Sequence, residues 1–263
     1  MTQAPVDEAD PLSDAESAAV VSGLERQADR VETPCAEGSV VWRIWGRGRP
    51  IVLGHGDSGM PETRDHAGLT QALVAGLGRI LAPGESADFV GFSFGGVQFS
   101  HLAARHPDFV RRLVLIGVGG LDTPLGDIDL TGVSGLRGEA RKAAHRHNLL
   151  GLMLHRPESA DALALHLAEA NLRKTRFRHP DYQVMPDWVL RSLPDVGAQV
   201  DALWGEADRA HPDPDLQAAA LRAFKPDLEM RAIPDAGHWA MYENPEAFDA
   251  ALLDMLRQPL RAR

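Results

Sequence analysis

A single cysteine, Cys35, stands in a chain of 263 residues. That excludes an intramolecular disulfide and every multi-cysteine zinc pattern, and leaves Cys35 as a small buried or half-buried side chain. Long apolar runs are also missing, since nothing approaches the roughly 20 residues that span a bilayer. Positive charge is scarce: 27 Lys and Arg face 37 Asp and Glu, a formal net charge of −10 and a pI of about 5.5. Nucleic acid and anionic membrane are therefore poor partners. The first residues are acidic and polar (Asp7, Glu8, Asp10) and lack the basic and apolar regions of a signal peptide, so a soluble cytoplasmic protein is expected. The histidines His145, His147, His155 and His166 show neither HExxH nor any other ligand spacing. Surface or packing roles are expected of them, and neither metal nor organic cofactor is implied. Internal repeats and low-complexity tracts are absent.

What is present suffices for one sizeable core, with 44% of the residues apolar. Residues 1–12 carry two prolines and three acids without periodicity and are expected to be disordered. Ser13 to about Ala28 reads as a helix, with Ser13 as N-cap and Glu16 at the capping-box position. Arg30–Cys35 and Ser39–Trp45 read as two short strands in a hairpin-like start. Ile51-Val52-Leu53 is too apolar for exposure on either face, as interior parallel strands are. From Arg64 to Leu81, Leu69, Leu73, Leu77 and Ile80 fall on one helical face. Further strands are predicted at Phe89-Val90, Arg112–Gly117, Val200–Trp204 and Leu228–Ile233, and helices at Gly96–His106, Leu216–Phe224 and Pro245–Leu256. Strand–helix–strand alternation of this kind predicts an α/β fold, a mostly parallel sheet with helices on both faces. Residues 123–195 break the rhythm with helical stretches around Leu136–Leu154, Glu158–Thr175 and Asp187–Leu193, Pro157 fitting the first turn of the second. The expected organisation is a core of 13–122 and 196–263 with a helical lid at 123–195.

The residues that carry chemistry begin with Gly91-Phe92-Ser93-Phe94-Gly95, set between a strand and a helix. This is the pattern of a nucleophile elbow, a turn so sharp that the serine is strained at its tip with the hydroxyl exposed. The glycines at 91 and 95 are a steric requirement, because a Cβ at either place would meet neighbouring backbone. Phe94 opens the helix, so the positive end of the helix dipole faces an oxyanion formed beside Ser93. A serine hydroxyl needs a base, and the base an orienting acid. His238, in Pro234-Asp235-Ala236-Gly237-His238-Trp239, and Asp208, in Leu203-Trp204-Gly205-Glu206-Ala207-Asp208, each lie just past a late strand. Loops there reach the crevice of an open parallel sheet. Asp122, past an earlier strand, is the alternative acid; Glu206 and Asp235 read as solvated loop acids. Ser58, in Gly56-Asp57-Ser58-Gly59, matches a serine-protease motif by chance.

The elbow, the WGEAD segment and PDAGHWAMYENPEAF resemble the α/β-hydrolase superfamily, and are most similar to its lidded branch of esterases and carbon–carbon bond hydrolases. The resemblance covers roughly residues 28–258. It implies Ser93 as nucleophile, His238 as general base and acid, Asp208 as the residue orienting the imidazole, and a small-molecule substrate cleaved through an acyl-enzyme. Trp239 after the histidine is similar to the carbon–carbon hydrolases, and Phe92 departs from the polar residue usual before the serine.

One segment departs from that family. His55-Gly56 resembles its oxyanion loop, yet Ser93 follows only 38 positions later. A further helix, strand and two loops need roughly 20–30 residues beyond what the interval holds. Pro50–Leu53 resembles the family's third strand and Gly54–Pro61 the loop after its fourth, as though the two were fused with the intervening unit removed. One interior strand fewer is expected, with a single strand bridging the family's second and fifth. The oxyanion hole then keeps the Phe94 N–H, with Asp57 as its one other candidate donor, and activity is expected to be impaired. His55, Gly56, Phe92 and Trp239 are expected around the substrate. Between Arg137 and Arg178 stand nine Lys/Arg against four Asp/Glu. A basic residue there, Arg173, Arg176 or Arg178, is a candidate to hold a substrate carboxylate bidentately.

Overall fold

The computed structural model describes residues 14–35, 38–56, 66–174 and 186–261. Helix α1 (Asp14–Gln27) leads into an antiparallel hairpin of β1 (Asp29–Cys35) and β2 (Gly38–Ile44). Ser13, residues 1–12 and Ser58 lie outside the described residues. Strand β3 (Ile51–Gly54), helix α2 (His66–Ile80), strand β4 (Ala87–Phe92) and helix α3 (Phe94–Arg105) follow. Then comes β5 (Val110–Ile116). Between β5 and the next strand the chain forms α4 (Gly138–Asn148), a π-helical turn (Leu149–Met153), α5 (Ala162–Lys174) and α6 (Trp188–Ser192). Strand β6 (Gln199–Gly205), α7 (Pro214–Arg222), β7 (Glu229–Ile233), α8 (Ala240–Glu243) and α9 (Pro245–Arg257) complete it. Pro157 opens a separate 3-10 turn (Pro157–Ser159) instead of α5, whose first turn is met by Asp161 Oδ1 accepting from Ala164 N at 2.8 Å.

Strands β3-β4-β5-β6-β7 form an all-parallel sheet in that order. One face packs on α2, α3, α6 and α7 through Phe89, Leu113, Leu115, Ala202 and Trp204 on the strands and Leu77, Phe99, Leu102, Val189 and Leu221 on the helices. Phe89 and Phe99 meet edge-to-face at 5.0 Å. The opposite face presents Val90, Val114, Ile116 and Leu203 to Phe248, Met255 and Leu256 of α9. Burial on both faces explains why these strands are apolar throughout rather than alternating.

The bridging expected of β3 is half met and half corrected. β3 pairs with β4, the elbow strand, but β1 and β2 form a separate two-stranded sheet. The hairpin is held from the helical side instead. Trp42 joins the large apolar cluster, its indole donates to Thr33 Oγ1 at 2.9 Å, and it lies so close to Gly76 of α2 that a Cβ there would sit 2.4 Å from the ring.

The interior position expected of β3 is also corrected: it is the edge strand, with Ile51 45% and Leu53 69% exposed. Register pairs Val52 with Phe89 and Leu53 with Val90, so Val52 faces α3 while Leu53 lies on the face that α9 covers further along the sheet. No described helix covers β3 on that face.

Candidate active site

Ser93 sits between β4 and α3 with φ 50° and ψ −121°, a left-handed backbone that a non-glycine residue adopts only under constraint. Its N–H donates to Ile116 O of the neighbouring strand at 2.8 Å. The flanking glycines are required as the sequence predicts. A Cβ on Gly91 would lie 2.5 Å from Gly96 Cα, and one on Gly95 would lie 2.5 Å from both Gly54 O and His55 O. The second contact also locates the chain after β3: it runs against the elbow. A Cβ on Gly56 would come within 3.5 Å of Ser93 Cβ. His55 is exposed, its Nδ1 2.7 Å from Gly56 O. Asp57 lies outside the described residues. Phe94, the first residue of α3, is buried against Leu69, Leu73 and Trp188.

The loops after β6 and β7 supply the other two side chains. Backbone bonds lace them together, Glu206 N to Ile233 O at 3.0 Å and Ala207 N to Ala236 O at 2.9 Å. Gly205 lets them approach, since a Cβ there would lie 2.1 Å from Gly237 O. Asp208 and His238 are both buried, and His238 Nδ1 donates to Asp208 Oδ2 at 2.8 Å. The carboxylate's other oxygen accepts from Ala210 N at 2.8 Å and His211 N at 3.2 Å, which fixes its plane. Backbone donors and an imidazole N–H together repay much of the cost of burying the acid. Gly117, at φ 50°, closes the group from β5: a Cβ there would crowd His238 Nδ1 and Cε1 at 3.1 Å and Asp208 Oδ2 at 3.2 Å. Phe92, the residue before Ser93, lays its ring 4.9 Å from that of His238. The imidazole is thus held between the elbow, the end of β5 and its own acid.

Asp122, the alternative acid, has φ 52° and gives its N–H to Pro186 O at 2.6 Å, while His238 bonds to Asp208. Glu206 and Asp235 are exposed. Trp239 packs on Tyr242 at 5.6 Å and on the Leu149, Leu154 and Ala160 cluster, and its backbone N–H donates to Met153 O at 2.8 Å. Among the basic residues, Arg173 is 74% exposed and paired with Glu169, whereas Arg176 and Arg178 lie outside the described residues. Glu169 is also held by Arg141 at 2.7 Å and His145 at 2.7 Å; these partners, Arg141 first, lower its pKa to about 2.

Two residues escaped the sequence reading. Glu243, buried at the end of α8, accepts from Gly237 N at 2.6 Å, His155 N at 2.9 Å and Arg156 N at 2.9 Å, tying the loop of His238 to the β5–β6 connection. Its place just before Asn244-Pro245, a helix start, is its one sequence mark. His211, three residues past Asp208, is buried with its ring 5.7 Å from Trp204 and 6.1 Å from His238. Burial, opposed by Asp208 and assisted by His238, lowers its pKa to about 4, so it is neutral at pH 7.

Comparison with known proteins fits this geometry. The chain is 30% identical over 214 residues to a 2-hydroxymuconate semialdehyde hydrolase of Pseudomonas putida, covering 76% of this chain and 72% of that protein. It is 29% identical over 188 residues to a 2-hydroxy-6-oxo-6-phenylhexa-2,4-dienoate hydrolase of Burkholderia cepacia, covering 65% and 63%. The fold superposes on a naproxen esterase of Bacillus subtilis with a TM-score of 0.69 at 16% identity, over 94% and 99% of the two chains. A meta-cleavage product hydrolase of Pseudomonas fluorescens superposes with a TM-score of 0.61 at 17% identity, over 80% and 91%. Residues 18–251 match the sequence model of the alpha/beta hydrolase family, and the chain belongs to that family.

Proposed function

We propose that this hydrolase works by serine catalysis, with Ser93 as nucleophile, His238 as general base and then acid, and Asp208 as the residue that fixes the imidazole. The observation that carries the reading is the buried 2.8 Å bond from His238 Nδ1 to Asp208 Oδ2. With Nδ1 occupied by the carboxylate, Nε2 keeps its lone pair for the serine proton. Ser93 Oγ attacks the substrate carbonyl carbon, and His238 passes the serine proton to the leaving group. A water, deprotonated by the same imidazole, then releases the acid. Negative charge on the carbonyl oxygen falls at the N-terminus of α3, where the dipole favours it.

The substrate class is a small carboxylic ester or a vinylogous diketone cleaved at a carbon–carbon bond; the names of the hydrolase and esterase relatives support both. The β5–β6 connection acts as the lid, with Trp239 and Tyr242 against its inner surface. Because the interval from His55 to Ser93 is too short for a further helix and strand, we expect turnover reduced by about 10²–10³, the effect of losing one oxyanion donor. A second reading, a ligand-binding or scaffold protein with little turnover, is favoured by the same shortened interval. Purified protein assayed against p-nitrophenyl esters and a vinylogous diketone separates the two. Turnover above background that Ser93→Ala removes supports the enzyme, and covalent labelling of Ser93 without turnover supports the binder.

A further inference from the structure

Asp208, His211 and His238 are all buried, and one ligand atom from each lies within 4.8 Å of the others. The hydrolytic reading uses two of these residues and leaves His211 without a role. His211 Nδ1 is buried and finds no hydrogen-bond partner among the described residues, while the residue itself is only 6% exposed. An orphaned buried nitrogen costs about 1–3 kcal/mol, so a phenylalanine or leucine would serve better were packing on Trp204 the whole of its task.

We propose that Asp208, His211 and His238 form a binding site for a borderline-soft divalent cation such as Zn²⁺, and that its occupancy silences the base. Two imidazoles and one carboxylate suit zinc or nickel and not magnesium or calcium, which take oxygen shells. Tetrahedral zinc with bonds of about 2.0–2.2 Å sets its ligands ~3.3–3.6 Å apart, so binding opens the 2.8 Å Asp208–His238 contact slightly and draws together, by about 1 Å or more, ligand atoms that now span up to 4.8 Å. On the side away from Gly117, even a Cβ at Gly119 would stay 3.7 Å from His211 Nε2. An ion between Asp208 Oδ2 and His238 Nδ1 takes the place of the proton they share, which leaves to solvent. The imidazole is then fixed as a ligand.

The cation site does not depend on turnover, whereas silencing of the base rests on the hydrolytic reading. The test uses the full chain, stripped with chelator and titrated with Zn²⁺ by calorimetry and with Co²⁺ by visible absorption. One equivalent should bind, with release of a proton, and X-ray absorption of the zinc-loaded protein should count two imidazoles. His211→Phe should weaken binding by at least about the 10–100-fold seen for loss of a single supporting contact. His147→Asn, at an exposed histidine, should not. Failure to bind one equivalent, fewer than two imidazoles, or unchanged affinity in a cooperatively melting His211→Phe each overturns the site. The ligand count on the unmodified chain decides alone if the variant does not fold. Zinc should also slow phosphonylation of Ser93 by a fluorophosphonate. A two-imidazole site without that slowing would keep the cation and remove His238 as the base.

Discussion

Strand β6 is closed on both faces: Val200, Ala202 and Trp204 pack toward the α3 side while Leu203 meets α9. Strand β3, at the other end of the same sheet, turns Val52 to the helices and leaves Ile51 and Leu53 in water. The contrast shows how unequally the two ends of one sheet are covered. The acid and the histidine stand on loops after β6 and β7, whose strands and covering helices are complete. The short interval lies before the elbow, next to the exposed edge strand β3. The proposed base and acid are unaffected by it.

The comparison can be broken by mutation. Trp204→Ala, on the closed side, should cost about 3–5 kcal/mol in denaturant unfolding, the range for truncating a buried aromatic. A loss under 1 kcal/mol would mean that β6 is not the packed centre described. Acid should act on the same side. His211 has its pKa lowered from 6.5 to about 4 by burial, so the unfolded chain binds its proton first as pH falls. Its stability contribution is complete above pH 6.5 and is lost as pH drops from 6.5 to 4, on the order of 3 kcal/mol. Urea midpoints measured across that window should fall, and His211→Phe should flatten the slope. On the hairpin side, Gly76→Ala forces a Cβ against the Trp42 ring and should destabilise by about 1–3 kcal/mol, as overpacking does. The smallest effect belongs to the bare edge. Leu53→Ser should change stability by no more than about 0.5 kcal/mol, since the side chain is already in solvent. A loss of 2 kcal/mol there would show that something covers β3 after all.

This contrast also marks where sequence reading succeeds. The elbow was legible because its glycines answer a local steric demand, visible now in the contacts of positions 91 and 95. Asp208 and His238 were legible because each follows an apolar run that could only be a strand. The short interval before Ser93 gave the expectation of one strand fewer, and among the described residues β3 pairs directly with the elbow strand β4. Where β3 would sit was not legible: Ile51-Val52-Leu53 records the residues' own apolarity and says nothing of whether a neighbour exists to cover them. Nor could β1–β2 be placed, since its anchor is a single tryptophan meeting a glycine 34 positions later. His211 escaped for a related reason, because one histidine in a loop has no spacing to read and its meaning comes from two residues distant in the chain.

Intact-mass kinetics of a fluorophosphonate reaction test the proposed serine mechanism most directly. One adduct should form, map to Ser93, and slow by about 10⁴-fold or more in His238→Ala, a loss of the size that follows removal of a triad member. An adduct on a different serine, or a rate indifferent to His238, would contradict the account.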